Sequence, residues 1–369
     1  MNPIEEKYLV SDEEKDVKTV RFFRLQSPPQ RAAFEEFLQT TPNIRVFDTI
    51  WQQVQELMKT RHPAERLTPE ALQQKAAAHL GSCPAAEYGV WVYYPWSNRL
   101  VHILDKAEFI EMRTSRNQHK ITAAEINILA TKKIGVIGLS VGQSAALTLA
   151  MERLCGEIRI ADFDRLDLSN LNRIRAGIHN IGLPKTTIVA REIAEIDPFL
   201  KVTCFEDGIT ENNIGDFLLE GGRLDVVVEE CDSMDVKIMS RQQARAAGIP
   251  VIMETSDRGM MDIERFDLEP QRPILHGKVQ DDLSYSAIRQ FTGEQRMQVA
   301  LNILDYENIS DKLKSSIHEI GKTITTWPQL ASAVALGGAM VAHVCREICL
   351  GHSISSGRYY ADPDQLFKL

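Results

Sequence analysis

The 369 residues suffice for two or three domains with a large apolar core. Hydrophobic residues make up 44% and charged residues 25% of the chain, which are proportions of a globular protein and exclude a disordered or fibrous one. The formal charge of -9 argues against general nucleic-acid binding, because a basic surface is needed to displace counterions from phosphates.

The first part of the chain, residues 1–110, mixes helical and strand patterns. Segments 31–39, 50–59 and 69–80 have apolar residues at helical spacing, and the aromatic run YGVWVYYPW (88–96) predicts a strand. No chemical motif occurs in this region. We expect a small α+β domain whose role could be recognition of a substrate or a partner.

Three features favour a cytoplasmic protein. The acidic segment 1–18 lacks the order of a signal peptide. The six cysteines are scattered without a C-x-x-C pair, which fits reduced thiols in a cytosol and means that no structural zinc is expected. The run LASAVALGGAMVAHVC (330–345) is followed by Arg346 and Glu347, which makes it short and interrupted for a membrane span. It predicts a tightly packed helix in the core or in a dimer contact.

From residue 111 to residue 369 strands alternate with helices, which predicts a mostly parallel sheet covered on both faces. Predicted strands are KIGVIGL, EIRIAD, KVTCFED, LDVVVEEC and IPVIMET; predicted helices are SAALTLAMERLC, KTTIVAREIAEI and MSRQQARAAG. The fold class is therefore α/β, a Rossmann-like doubly wound sheet. Ligands of such sheets bind at the carboxyl ends of the strands.

A glycine loop, GLSVG, follows the first of these strands and opens a helix. Gly138, Ser140 and Gly142 are placed where a phosphate could approach the backbone. The loop is an imperfect dinucleotide fingerprint, since Ser140 and Gln143 stand where glycines are expected. A tight strand-to-helix turn without a ligand would explain the same residues.

The second strand ends at Asp162, at about the 20-residue spacing from the glycine loop at which a carboxylate accepts hydrogen bonds from a ribose. A nucleotide is therefore predicted. Asp164 is grouped with the same site, although capping of the next turn applies better to Asp164 or Asp167 than to Asp162.

The next loop, SNLNR, brings Ser169, Asn170, Asn172 and Arg173 together, and Lys185 opens the helix that follows. Two cations beside a nucleotide suit a triphosphate and its departing pyrophosphate better than a dinucleotide. Taken alone, Lys185 would more often be a solvated lysine of a first helical turn.

Carboxylates also end the fourth strand, at Glu229, Glu230 and Asp232. A carboxylate beside phosphates is where Mg²⁺ binds, because that ion prefers carboxylate, phosphate and water oxygens. Capping of the next helix by Asp232, with Ser233 as a competitor, is the alternative.

The order DFDRLDLSNLNR, then GLPK, then CDS after an apolar strand resembles the ThiF/MoeB/ubiquitin-activating superfamily of ATP-dependent adenylating enzymes. The resemblance covers about residues 111–350, and RTSRNQ (113–118) resembles the family's N-terminal R-x-x-R element. It implies that Asp162 holds the ribose and that Asp232 holds Mg²⁺. It further implies phosphate contacts from Asn170, Arg173 and Lys185, and a homodimer in which Arg116 enters the partner's ATP site.

The chain departs from the family in several places. After SNLNR it has Ile174 and Arg175 where glutamine is common, and Arg175 could be a phosphate contact or a surface charge. The family's paired zinc motifs are missing. No cysteine lies between Cys231 and Cys345, where members that form a thioester carry their nucleophile, so we expect no thioester step.

The segment ETSDRGMMDIERFDLEPQRPILHG (254–277) is rich in charge and glycine. Its candidates Asp257, Arg258, Arg265 and His276 could line an acceptor pocket. An exposed, mobile crossover loop would have the same composition, and the sequence does not choose between them.

The leading hypothesis is adenylation of a substrate carboxylate with ATP and Mg²⁺. The carboxylate could belong to a small molecule, a peptide or a ubiquitin-like protein tail, with no membrane and no general nucleic-acid partner. Two other classes stay open: an NAD-binding oxidoreductase, which would leave Arg173, Lys185 and Asp232 without roles, and an inactive nucleotide-binding scaffold.

Overall fold

A computed structural model describes residues 17–367, so most of the segment 1–18 lies outside the described residues. The chain divides into two compact units, residues 1–123 and 124–369. This division lies a little beyond the boundary near residue 110 that we inferred from the pattern of the sequence.

The first unit is built on a four-stranded sheet. Its strands are β1 (Arg21–Phe23), β2 (Arg45–Asp48), β3 (Val90–Tyr94) and β4 (Arg99–Ile103). Its helices are α1 (Pro28–Thr40), α2 (Ile50–Arg61), α3 (Pro69–Leu80) and α4 (Lys106–Thr114). The strand order is β1-β3-β4-β2, and only β2 pairs in parallel. The predicted α+β character is confirmed, because both the three helical segments and the aromatic strand form.

The second unit opens with the short helix α5 (Ala123–Leu129) and alternates strands with helices over most of its length. Its strands are β5 (Lys133–Ile137), β6 (Glu157–Ala161), β7 (Lys201–Phe205), β8 (Val226–Glu229), β9 (Val251–Thr255), β10 (Met260–Glu264) and β11 (Gly357–Tyr360). Its further helices are α6 (Gly142–Glu152), α7 (Lys185–Ile196), α8 (Ile214–Leu219), α9 (Met234–Ala246), α10 (Tyr285–Arg289), α11 (Gly293–Leu304), α12 (Asp311–Ile317), α13 (Ala331–Cys349) and α14 (Pro363–Leu366).

The seven strands of this unit form one sheet in the order β11-β10-β9-β8-β5-β6-β7. Strands β5 to β9 run parallel, and their residues are largely apolar because helices cover both faces. The chain moves outward from β5 through β6 to β7 and then returns to β8 on the other side. The strand order therefore reverses between β5 and β8, which is where a doubly wound sheet opens a crevice for a ligand. The predicted fold class is confirmed.

Part of the segment 254–277 is a buried strand and not an exposed loop. It contains β10, which pairs antiparallel with β9 and with β11 and is buried at every residue. The interpretation as an exposed, mobile crossover is wrong for these five residues. The chain could bury Asp262 and Glu264 here because Arg358 and Arg241 pair with them.

Helix α13 is the apolar helix expected from the run 330–345. Among the described residues it alone has the length and hydropathy of a membrane span, but half of that stretch is buried inside the protein. The expectation that this run is too short for a span is therefore wrong. Its burial, which includes Val341, Ala342 and Cys345, is that of a core helix.

Candidate functional site

The glycine loop between β5 and α6 needs a glycine at its first position. Gly138 has φ of +83°, and a Cβ atom there would lie 2.7 Å from the backbone nitrogen of Cys231. A side chain at this position would be strained and would also push away the segment after β8. The loop is thus held against the end of β8, and α6 begins at Gly142.

Asp162 lies at the end of β6 with its carboxylate directed at this loop. Its Oδ2 accepts from the Leu139 backbone N–H at 2.7 Å, and its Oδ1 accepts from the Asp164 N–H at 2.7 Å. Burial raises the pKa of Asp162, which is only 9% exposed, while the charge of Lys185 opposes the rise. Each carboxylate oxygen has a second lone pair, so a ribose hydroxyl could still donate to it.

Lys185, the first residue of α7, turns its ammonium back to the same strand end. Its Nζ lies 2.7 Å from Asp164 Oδ2 and 4.0 Å from Asp162 Oδ2. The residue is 5% exposed, so the interpretation as a solvated lysine is wrong. A cation is buried beside Asp162, as the triphosphate hypothesis requires.

Arg173 approaches the glycine loop from the other side. Its Nε donates to Ser140 Oγ at 3.1 Å, and its Nη1 donates to the Asn172 side chain at 2.8 Å. Partial burial lowers the pKa of the guanidinium, and the carboxylate of Asp232 opposes this shift. Arg173 thus stands between the glycine loop and the end of β8.

The two asparagines of SNLNR hold the loop itself. Asn170 Oδ1 accepts from the Asp167 backbone N–H at 3.0 Å, and Asn172 Nδ2 donates to the Gln329 carbonyl at 2.8 Å. Both contacts shape the short 3₁₀ helix Leu168–Asn172 and its approach to the segment before α13. A phosphate contact from either amide remains a prediction.

Gln143 is a residue of this region that we did not single out from the sequence. Its side chain is 2% exposed and accepts from the Arg175 N–H at 2.8 Å while donating to the Arg175 carbonyl at 2.9 Å. It also donates to Glu192 Oε2 at 2.7 Å. The glutamine that breaks the glycine fingerprint therefore anchors the backbone beyond Arg173, whereas the Arg175 side chain is exposed. The departure of Gln143 from the glycine fingerprint was the signal in the sequence that could have identified this residue.

The three acidic residues at the end of β8 have different environments. Glu229 is buried and pairs with Lys237 at 2.8 Å and with Arg241 at 2.5 Å. Burial raises its pKa, but the two cations outweigh burial and hold the pKa at about 2. Glu230 is half-buried and accepts from the Glu254 N–H at 2.9 Å. Glu229 is therefore not available to a metal at the glycine loop.

Asp232 is the member of this group that fits a magnesium ion. It is exposed, and within residues 17–367 its carboxylate has no hydrogen bond or ion pair. The N-cap of α9 is Ser233, so capping does not engage Asp232. The described part of the chain has no cluster of three metal-binding side chains. An ion here would need phosphate oxygens and water as its other ligands, as Mg²⁺ commonly has.

The candidates of segment 254–277 separate into two groups. Asp257 and Arg258 border a cavity beside the glycine loop, where Asp257 accepts from Ser310 and Arg258 pairs with Asp362. Arg265 pairs with Asp267 and lies outside the cavity lining.

His276 is the fourth of these candidates, and it also lies outside the cavity lining. It bonds Asp262 at 2.9 Å in the buried network of β10. Two of the four residues considered for an acceptor pocket therefore line the cavity, and the role of that cavity as an acceptor pocket stays a prediction.

Arg116 and the cysteines are the remaining residues that the sequence analysis considered. Arg116 is an exposed residue of the short helix Ser115–Asn117 in the first unit, and its role across a dimer stays a prediction. Cys231 donates to Glu229, and burial raises the pKa of its thiol well above the ordinary range. Burial also raises the pKa of Cys345, so both thiols are poor nucleophiles.

The profile of the ThiF family matches residues 114–359, about two thirds of the chain. The chain belongs to the ThiF family. It is thereby a member of the ThiF/MoeB superfamily of adenylating proteins, as its SNLNR loop and CDS motif indicated. This ThiF-family chain is also similar to several individual proteins.

Two curated relatives differ in how much of their own length the chain covers. An uncharacterized protein of Mycobacterium tuberculosis, MT1398, is 46% identical over 272 residues, which are 74% of this chain but 38% of that protein. The chain thus spans well under half of that relative. The tRNA threonylcarbamoyladenosine dehydratase of Bacillus subtilis is 30% identical over 63% of this chain and 95% of its own length.

The fold has a solved counterpart in Escherichia coli MccB, crystallised with MccA-N7isoASN. The TM-score is 0.50 at 14% sequence identity, over 85% of this chain and 85% of that one. At this identity the likeness concerns the fold alone.

Proposed function

We propose that this ThiF-family protein activates a substrate carboxylate by transferring AMP from ATP, with release of pyrophosphate. The observation that supports this proposal most is the convergence of Asp162, Lys185, Arg173 and Asp232 on one glycine loop. These side chains come from the ends of two strands, β6 and β8, and from two segments that follow β6, yet all lie around Gly138 and Ser140.

Each of these side chains has a task that its geometry allows. Asp162 would accept hydrogen bonds from the ribose, because both its oxygens retain a lone pair. Arg173 and Lys185 would bind the phosphates, since each is a cation beside the loop whose N–H groups open α6. Their positive charge would stabilise the negative charge that gathers on pyrophosphate as it leaves.

Asp232 would hold a magnesium ion together with phosphate oxygens. When bound, that ion would neutralise part of the phosphate charge and polarise the phosphorus that is attacked. The protein would contribute positioning and electrostatics rather than a nucleophile of its own. We propose no thioester step, since the pKa of both thiols, of the half-buried Cys231 and of the buried Cys345, is raised by loss of solvent.

The other elements of the proposal rest on the sequence. A homodimer would place Arg116 in the partner's nucleotide site, and the first unit would recognise a substrate or partner. The substrate carboxylate would belong to a small molecule, a peptide or a protein tail. We place the protein in the cytoplasm.

Nucleotide choice is the first test. ATP with Mg²⁺ and NAD are titrated separately against the purified full chain by calorimetry. We expect ATP to bind about tenfold or more tightly than NAD, because Arg173, Lys185 and the magnesium ion would together bind the phosphates of a triphosphate. Tighter binding of NAD would favour an oxidoreductase and contradict the proposal.

Pyrophosphate exchange into ATP is then measured with a panel of carboxylic acids and peptides. Exchange should depend on one carboxylate class and should fall by about a hundredfold or more in Asp232→Asn. Exchange that is equal in Asp232→Asn and the wild type would remove Asp232 from the site. ATP binding without exchange for any carboxylate would favour the inactive scaffold.

A further inference from the structure

The cavity beside the glycine loop has a volume of about 670 Å³, large enough for an organic molecule. It lies wholly within the second unit, and Val141 and Asp232 are where it borders the nucleotide-site residues. Its walls are mostly apolar, with Met234, Met253 and Trp327 among them. Such walls suit the body of an apolar ligand but give it no orientation.

Polar orientation could come from two acidic residues in the same wall, the half-buried Glu230 and the buried Glu254. Glu254 is 4% exposed, and within the described residues neither of its carboxylate oxygens has a hydrogen-bond partner. The hydroxyl of Ser256, also in the wall, lacks a partner in the same sense. Buried acceptors without donors are rare in folded proteins, because leaving them unpaired costs free energy.

No side chain of the described structure supplies these acceptors with a cation. Lys237 is the nearby ammonium, but its Nζ is bound to Glu229 at 2.8 Å and to the Met253 sulfur at 3.2 Å. Glu254 itself lies directly on α13, since a Cβ atom at Gly337 would be 2.4 Å from its Oε1. The helix has a glycine where the carboxylate needs room.

We propose that this cavity binds an organic primary amine, with the ammonium at Glu254 and Ser256 and the apolar body against Met234, Met253 and Trp327. An ammonium has three N–H donors, which matches the two carboxylate oxygens and the hydroxyl that lack donors. Burial raises the pKa of Glu254 to about 8. A bound cation would favour the ionised carboxylate, as opposite charges do.

This inference rests on the cavity and does not depend on adenylation, so it is tested without ATP. Three amines, hexylamine, phenethylamine and tryptamine, are titrated against the full chain beside their matched alcohols, hexanol, phenethyl alcohol and tryptophol. Each pair shares its apolar body and differs in the ammonium. At least one amine should bind about tenfold or more tightly than its alcohol, the usual effect of a charged hydrogen bond.

Variants then locate the ammonium. Glu254→Gln should remove the preference for the amine, because a neutral amide keeps the size of the side chain but not its charge. Asp364→Asn is the matched control, since Asp364 is an exposed carboxylate in the same cavity lining. It should change the affinity by less than about twofold. Gly337→Ala should weaken binding by displacing the Glu254 carboxylate.

Two results would overturn the inference. One is that no amine of the three binds more tightly than its alcohol. The other is an amine preference that survives Glu254→Gln in a protein whose circular dichroism matches the wild type. A wild-type protein that binds amines but catalyses no pyrophosphate exchange would instead contradict the proposed adenylation. The amine site would not be affected by that result.

Discussion

Glu229 and Glu230 are neighbours in the chain and have opposite electrostatic environments. Glu229 meets Lys237 and Arg241 from α9, which hold its pKa at about 2 although burial alone would raise it. Glu230 faces the cavity side, where burial and the charge of Glu254 raise its pKa well above the ordinary range. The protein compensates buried charge where α9 and β10 must pack and leaves it uncompensated beside the cavity. We infer that the first group serves stability and the second serves a ligand.

The largest expected effect is the loss of compensation on the Glu229 side. Arg241 is fully buried between Glu229 and Glu264, so Arg241→Met leaves two buried carboxylates short of a partner. We expect a loss of about 3–5 kcal/mol in the free energy of unfolding, measured by urea titration.

Arg245→Met is the control, on the same helix. Arg245 pairs with Asp281 nearer the surface, at 2.6 Å. This variant should cost about 1 kcal/mol or less. Equal urea midpoints for the two variants would show that the buried pair is not the stabilising group.

A smaller effect of opposite sign is expected on the cavity side, at Glu254. Burial raises its pKa from 4.5 to about 8, so the folded protein prefers the neutral carboxyl. The wild type should therefore lose stability as pH rises from about 4.5 to about 8 and then level off. Glu254→Gln cannot ionise and avoids this loss.

The free energies of unfolding of wild type and Glu254→Gln are compared by thermal denaturation at pH 5 and at pH 8, in the absence of amines. Relative to the wild type, the variant should gain free energy of unfolding between pH 5 and pH 8, by at least about 1 kcal/mol at pH 8. Asp364→Asn should follow the wild type at both. A difference that does not change with pH would contradict the assigned pKa.

Much of the fold follows from the sequence, because apolar strands and amphipathic helices alternate in it with clear ends. Helix α7 begins and ends where KTTIVAREIAEI predicted it. The meeting of Asp162, Arg173 and Lys185 was also predictable, since the carboxyl ends of parallel strands lie at one edge of the sheet.

The buried acidic residues were not predictable in the same way. Strand β10 carries Asp262 and Glu264. From the sequence alone such acidic residues are predicted to face solvent, because their buried partners are not known. Those partners, Arg358 and Arg241, lie 96 and 23 residues away in the chain. Long-range pairing of this kind leaves no local pattern. Glu254 was hidden for the same reason, since its exposure depends on how α13 packs over it.

The central claim is that the cations around the glycine loop bind the phosphates of ATP, and Arg173 tests it most directly. ATP with Mg²⁺ is titrated by calorimetry against Arg173→Ala and against Arg175→Ala, which removes an exposed arginine two residues away. We predict a loss of affinity of about tenfold or more for Arg173→Ala and a change within about twofold for Arg175→Ala. Equal affinities of the two variants and the wild type would contradict the claim.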